Sequence, residues 1–193
     1  MKAIEIYKKL TGLDPEQYGF DKYLQWLENQ VEKTYEPSIL TWIKTMFEHA
    51  EKKMWNKVYF MIDIHGTISK PDYRKDTKEI IYYQYAKETL KILSDRKDIV
   101  IILWTSSYPE ELKIYQEHFI NDGIVFDYVG TNPEVSEENG SFGYYKDKPY
   151  FNLLLDDKAS FKPSDWEHLY NYFLEQKPLD ITLKTKYKED YHK

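Results

Sequence analysis

The chain has 193 residues, of which 41% are hydrophobic and 31% charged, so it can bury a full core and lacks the composition of a disordered protein. Its net charge of −6 gives no basic footprint of the kind nucleic-acid binders carry, although a local basic groove is compatible with an acidic total. Cysteine is absent, which excludes a disulfide scaffold, thiolate chemistry and a cysteine zinc site.

Residues 1–56 read as a helical extension. Met1 to Leu10 lacks the unbroken apolar core of a signal peptide, and no run approaches the ~18 apolar residues of a membrane span, so a soluble cytoplasmic protein is expected. Tyr23, Leu24, Leu27 and Val31 recur at helical spacing, as do Leu40, Ile43, Phe47 and Ala50. Pro15, Gly19 and Pro37 punctuate the segment, with Pro37 suited to a first helical turn. The dense aromatics here (Tyr18, Phe20, Trp26, Trp42, Phe47, Trp55) fit either a helical layer or a lid and partner surface.

Residues 57–193 alternate strand and helix. Val58 to Ile62 is an apolar run long enough for one buried strand, and it ends in Asp63 before a turn at Gly66-Thr67. Ser69 to Lys78 is polar, a loop or short flap. Tyr83, Ala86, Leu90 and Leu93 then mark one face of a helix. Ile99 to Trp104 is continuously apolar and β-branched, as suits a strand buried on both faces of a parallel sheet. Thr105-Ser106-Ser107 closes it, and Pro109-Glu110-Glu111 opens a helix with Leu112, Tyr115 and Phe119 inward, stopped at Asn121-Asp122-Gly123.

Ile124 to Val129 predicts a third strand. Thr131 to Lys148, with Asn132-Pro133, Asn139-Gly140 and Gly143, predicts a long loop or an excursion from the sheet. Phe151 to Leu155 predicts a fourth strand ending in Asp156-Asp157. A helix follows, with Ser164 and Glu167 in a capping-box pattern and Trp166, Leu169, Tyr170 and Phe173 on its buried face. Alternation over Ile181 to Lys184 is compatible with a terminal edge strand. The alternation of elements predicts an α/β fold with a parallel sheet and right-handed crossovers.

Three of these strands end in chemically useful groups: Asp63, Thr105 and the Asp156-Asp157 pair. In a parallel sheet their tips share one edge, where open α/β sheets place ligands. Asp63-Ile64-His65-Gly66-Thr67 resembles the first motif, Asp-x-Asp-Gly-Thr, of the haloacid dehalogenase superfamily of phosphotransferases. Leu103-Trp104-Thr105-Ser106 resembles its second motif, Lys148 (or Lys146) its third, and Leu155-Asp156-Asp157 its fourth. The resemblance spans about 57–175. It implies a three-layer Rossmann-like parallel sheet, with residues 57–193 as the α/β domain.

The same resemblance implies a Mg²⁺-dependent phosphomonoester hydrolase acting on a phosphorylated substrate. Asp63 would be the nucleophile. The metal would take an oxygen of Asp63, the backbone carbonyl of His65 and a carboxylate of the pair, with Asp157 direct and Asp156 supporting. Thr105, the Ser106 N–H and Lys148 would hold the phosphate. The departure is His65, which stands where the family carries its acid/base Asp. Histidine has a reference pKa of ~6.5 and can fill that role. The alternatives are a slowed second step or a silent module that keeps a metal and phosphate pocket for recognition or for protein interaction. The intervals between motifs leave little room for a large cap, so the substrate class, whether nucleotide, small phosphate or macromolecular phosphate, stays open, as does the oligomeric state. The other histidines, His49, His118, His168 and His192, are scattered along the chain.

Overall fold

The computed structural model describes residues 3–18, 20–34, 38–71, 79–135, 145 and 147–182. The chain divides into two compact units, 1–38 and 39–193. The first holds helices α1 (Ala3–Thr11), α2 (Pro15–Tyr18) and α3 (Phe20–Thr34). Its packing is aromatic: the Tyr7 ring lies 5.3 Å from both Tyr23 and Trp26. Tyr23 is buried, whereas Leu24, expected on the same inward face, is exposed. Pro37, Gly19 and the side chain of Val31 lie outside the described residues.

The second unit is an α/β fold around a four-stranded, all-parallel sheet. Its strands are β1 (Val58–Ile62), β2 (Ile99–Leu103), β3 (Tyr128–Val129) and β4 (Leu153–Leu155), in the Rossmann-like order β3-β2-β1-β4. The division between units falls after Ser38 rather than after residue 56 because α4 (Ser38–Lys52) buries Ile43, Phe47 and Ala50 in the α/β core. Helices α5 (Ala86–Asp95), α6 (Pro109–Asn121) and α7 (Asp165–Glu175) supply Leu90 and Leu93, Tyr115 and Phe119, and Trp166, Leu169 and Phe173 to the same core.

Period-two alternation explains the layering. Val58, Phe60 and Ile62 face the helices with Ile99, Ile101 and Leu103, while Met61, Val100 and Ile102 form a second cluster on the opposite face. Each side chain of this kind that is fully buried contributes about 1.5–3 kcal/mol. Right-handed crossovers from β1 to β2 and from β2 to β3 run in one direction and put α5 and α6 on one face. The β3-to-β4 connection returns past two strands, so the same hand carries it over the other face. There Tyr150 packs edge-on against Tyr59 at 5.8 Å. Glu134 accepts hydrogen bonds from Lys57 Nζ (2.6 Å), Tyr128 OH (3.1 Å) and Tyr59 OH (3.2 Å).

Three local expectations are corrected. Strands β3 and β4 are shorter than their apolar runs because side chains replace ladder partners. Ile101 N–H donates to Asp127 Oδ2 (2.8 Å) and Tyr59 N–H to Asn152 Oδ1 (2.8 Å). Tyr83 precedes α5 instead of opening it: its N–H donates to Ile68 O (3.0 Å), and Tyr85 takes φ +64°, which no helix continues. Ser164 makes no side-chain cap on α7; instead Asp165 Oδ2 accepts from Lys162 N–H (2.7 Å). The loop signals at Asn139-Gly140 and Gly143 lie outside the described residues, as do Leu183 and Lys184 of the suggested edge strand. Among the described residues, no helix is long and apolar enough to cross a membrane.

Candidate metal and phosphate site

The central strand places the site. Ile62 is in register with Leu103 on one side and Leu155 on the other. One step further along, Trp104 N–H donates to Ile62 O (2.8 Å) and Asp63 N–H to Leu155 O (2.9 Å). Asp63 therefore leaves the middle of the sheet edge, flanked by Trp104-Thr105 and Asp156-Asp157. Carboxylate oxygens of Asp63, Asp156 and Asp157 all lie within 4.8 Å of one another. Residues 93 and 94 positions apart meet because parallel strands end at a common edge.

The turn after β1 is built to receive Asp157. Ile68 and Ser69 N–H groups both donate to Ile64 O (2.9 Å each), and Gly66 N–H donates to Ser69 O (2.8 Å). Gly66 takes φ +86°, and a Cβ there would lie 2.6 Å from Asp157 Oδ2. The fully buried Thr67 accepts the Asp157 N–H on its Oγ1 (2.9 Å), while its carbonyl accepts Trp166 Nε1–H (2.7 Å). A buried tryptophan thus holds the threonine that holds the Asp157 backbone.

Electrostatics separate the acids. Burial pushes the Asp63 carboxyl up to about 6; Asp156 and Asp157 push the same way, against a backbone hydrogen bond from Ile64 and the charge of Lys158. Asp157 is held below its ordinary range chiefly by Lys158, whose Nζ lies 2.8 Å from Asp157 Oδ1. Three clustered carboxylates against one exposed lysine form an all-oxygen donor set with surplus negative charge, which suits a hard divalent cation. The cation is Mg²⁺ in the expectation from sequence, and these residues fit it.

The remaining expected residues are placed as follows. Thr105 Oγ1 shares a hydrogen bond with Ser107 Oγ (2.9 Å) and accepts Ser107 N–H (3.2 Å), and Ser106 is exposed at the same edge. His65 is half-buried, with Nε2 3.1 Å from Tyr115 OH. Lys148 is exposed in the β3–β4 connection, and Lys146 lies outside the described residues. Sequence reasoning missed Lys158 as the lysine paired to this acid group, although it directly follows the Asp pair. It also missed the Tyr115 contact, for which fifty residues of separation leave no local signal.

No protein-family model matches the chain, and no curated protein matches it. Among solved structures it is similar to a conserved protein from Bacteroides thetaiotaomicron, at 27% sequence identity and a TM-score of 0.48, over 63% of this chain and 93% of that one.

Lys158 acts as an internal counter-ion to the acid group. Its side chain is 79% exposed, so screening keeps its contribution to folding small. Lys158→Ala is expected to leave the melting temperature unchanged and to tighten Mg²⁺ binding a few-fold in titration calorimetry, since a competing cation is removed. Weaker binding would show that the lysine supports the metal instead.

Proposed function

We propose that this protein is a Mg²⁺-dependent phosphomonoester hydrolase working through an aspartyl-phosphate on Asp63. The observation that carries the reading is the meeting of Asp63 with Asp156 and Asp157 within 4.8 Å at the carboxyl edge of the sheet. The motif resemblance to the haloacid dehalogenase superfamily supports it.

An oxygen of Asp63 attacks phosphorus, the ester P–O bond breaks, and the leaving oxygen takes a proton from the His65 imidazolium. Water then gives a proton to His65 and attacks the same phosphorus. The bond to Asp63 breaks, and inorganic phosphate leaves with the carboxylate restored. Thr105 Oγ1 and the Ser106 N–H bind phosphate oxygens, and Lys148 adds positive charge to the same group. Asp63, the His65 carbonyl and Asp157 would hold Mg²⁺, with Asp156 supporting. When bound, the ion supplies the charge neutralisation that a carboxylate needs beside a phosphate dianion.

The test is hydrolysis of p-nitrophenyl phosphate by the full chain. Turnover that requires Mg²⁺ and stops with EDTA is expected, with acid-stable radiolabel on the protein during turnover absent from Asp63→Asn. Activity absent from the wild type but present in His65→Asp would mark a disabled enzyme that keeps the pocket. Activity in neither protein sinks the hydrolase reading.

A further inference from the structure

We infer that Tyr115 is the positioning residue of His65: it holds the imidazole by Nε2 and so presents Nδ1 to the reacting oxygen. This rests on the hydrolase reading and adds to it a residue that the motif resemblance does not contain. The backbone around His65 is already pinned by the Gly66–Ser69 and Ile64–Ser69 hydrogen bonds. Its ring is held by a second element, α6. There Tyr115 OH lies 3.1 Å from Nε2, and the two rings meet edge-on with centroids 5.4 Å apart at 75°. Tyr115 is 5% exposed and belongs to the hydrophobic core, so its hydroxyl approaches from a fixed direction.

A second partner matters more for histidine than for the aspartate of the family motif. Aspartate is short and offers two equivalent oxygens, so few rotations take it out of position. The imidazole has two distinct nitrogens on a longer arm, and a half-turn about its Cβ–Cγ bond puts a carbon where each nitrogen stood. A phenolic oxygen on Nε2 removes that ambiguity. It also tolerates both states the reaction needs: the Nε2–H donates to Tyr115 while Nδ1 releases a proton to the leaving oxygen, and still donates while Nδ1 takes one from water. The same helix begins just beyond Thr105-Ser106-Ser107, so α6 couples the ring to the loop that would bind phosphate.

Tyr115→Phe keeps the ring packing and removes only the oxygen, so a folded variant with a wild-type melting temperature is expected. In ¹⁵N spectra of the full chain, the His65 Nε2 resonance should move clearly and Nδ1 less. With p-nitrophenyl phosphate and Mg²⁺, kcat should fall about 10- to 100-fold, the range that misplacement of a reacting group by an ångström produces. KM should stay within about two-fold, as expected when ground-state binding is untouched. Unmoved nitrogen resonances overturn the proposal whatever the activity, and so does an unchanged kcat in an active enzyme. If the wild type is inactive, the nitrogen resonances alone decide whether Tyr115 holds the ring, and the hydrolase reading fails only if His65→Asp is inactive too.

Discussion

Asp63→Asn is expected to abolish turnover while making the metal-free protein more stable. The activity side follows from the role proposed for the residue. An amide does not attack phosphorus at a useful rate, and removing a nucleophile costs at least about 10⁴-fold in turnover. The stability side follows from the environment. Burial, with Asp156 and Asp157 adding to it, raises the Asp63 carboxyl from 3.8 to about 6. A carboxyl raised in the folded state favours folding most below about pH 4, where it is protonated in both states. That contribution is lost as pH rises to about 6, and a constant penalty remains above.

At pH 7 the wild type therefore bears the cost of a desolvated, crowded carboxylate, and Asn does not. Discounted for partial exposure, the expected gain is about 1 kcal/mol in urea unfolding at pH 7, vanishing near pH 4. Excess Mg²⁺ should invert the order: at a hundred times its dissociation constant, an ion bound only by the folded wild type adds about 2.7 kcal/mol. Mg²⁺ affinity should also fall as pH drops through about 6, where a proton competes for Asp63. A variant less stable than wild type at pH 7 without metal would contradict this account of the acid group.

The parts of this architecture legible in the sequence are those written in continuous apolar runs. Ile99–Leu103 is buried at every position and Val58–Ile62 at every position but the half-buried Tyr59, so each reads as an unbroken apolar run. The convergence of Asp63 with Asp156 and Asp157 was legible for a topological reason, since strand-helix alternation forces a parallel sheet and a parallel sheet collects its strand ends. The ends of β3 and β4 were not legible, because Asp127 and Asn152 act as backbone partners and periodicity does not register a side chain in that role. Tyr83 fits the helical spacing of α5, yet its N–H is committed to Ile68 O. The His65–Tyr115 and Thr67–Asp157 contacts join residues 50 and 90 positions apart, and only the packed fold brings them within reach.

Gly66→Ala provides the sharpest test of how closely the β1 turn is fitted to the acid group. Two separate costs are expected, and an internal control divides them. The first is conformational: at φ +86° an alanine is strained, by about 1–2 kcal/mol. The second is steric, because the new Cβ would stand 2.6 Å from Asp157 Oδ2 and 2.8 Å from its Cγ. The Asp157 side chain is 38% exposed, so it can swing outward and relieve the overlap without unfolding the domain. In doing so it leaves Asp63 and Asp156. Gly123 has a similar positive φ, +77°, but a Cβ there would meet nothing nearer than Lys91 Cε at 3.7 Å. Gly123→Ala should therefore lose similar stability in urea unfolding while binding Mg²⁺ as the wild type does. Gly66→Ala should lose that stability and, in addition, about 10- to 100-fold in Mg²⁺ affinity, the usual cost when the support of a metal ligand is removed. Equal Mg²⁺ binding by the two variants would mean that Asp157 is no ligand, and that the missing Cβ at Gly66 serves only the turn.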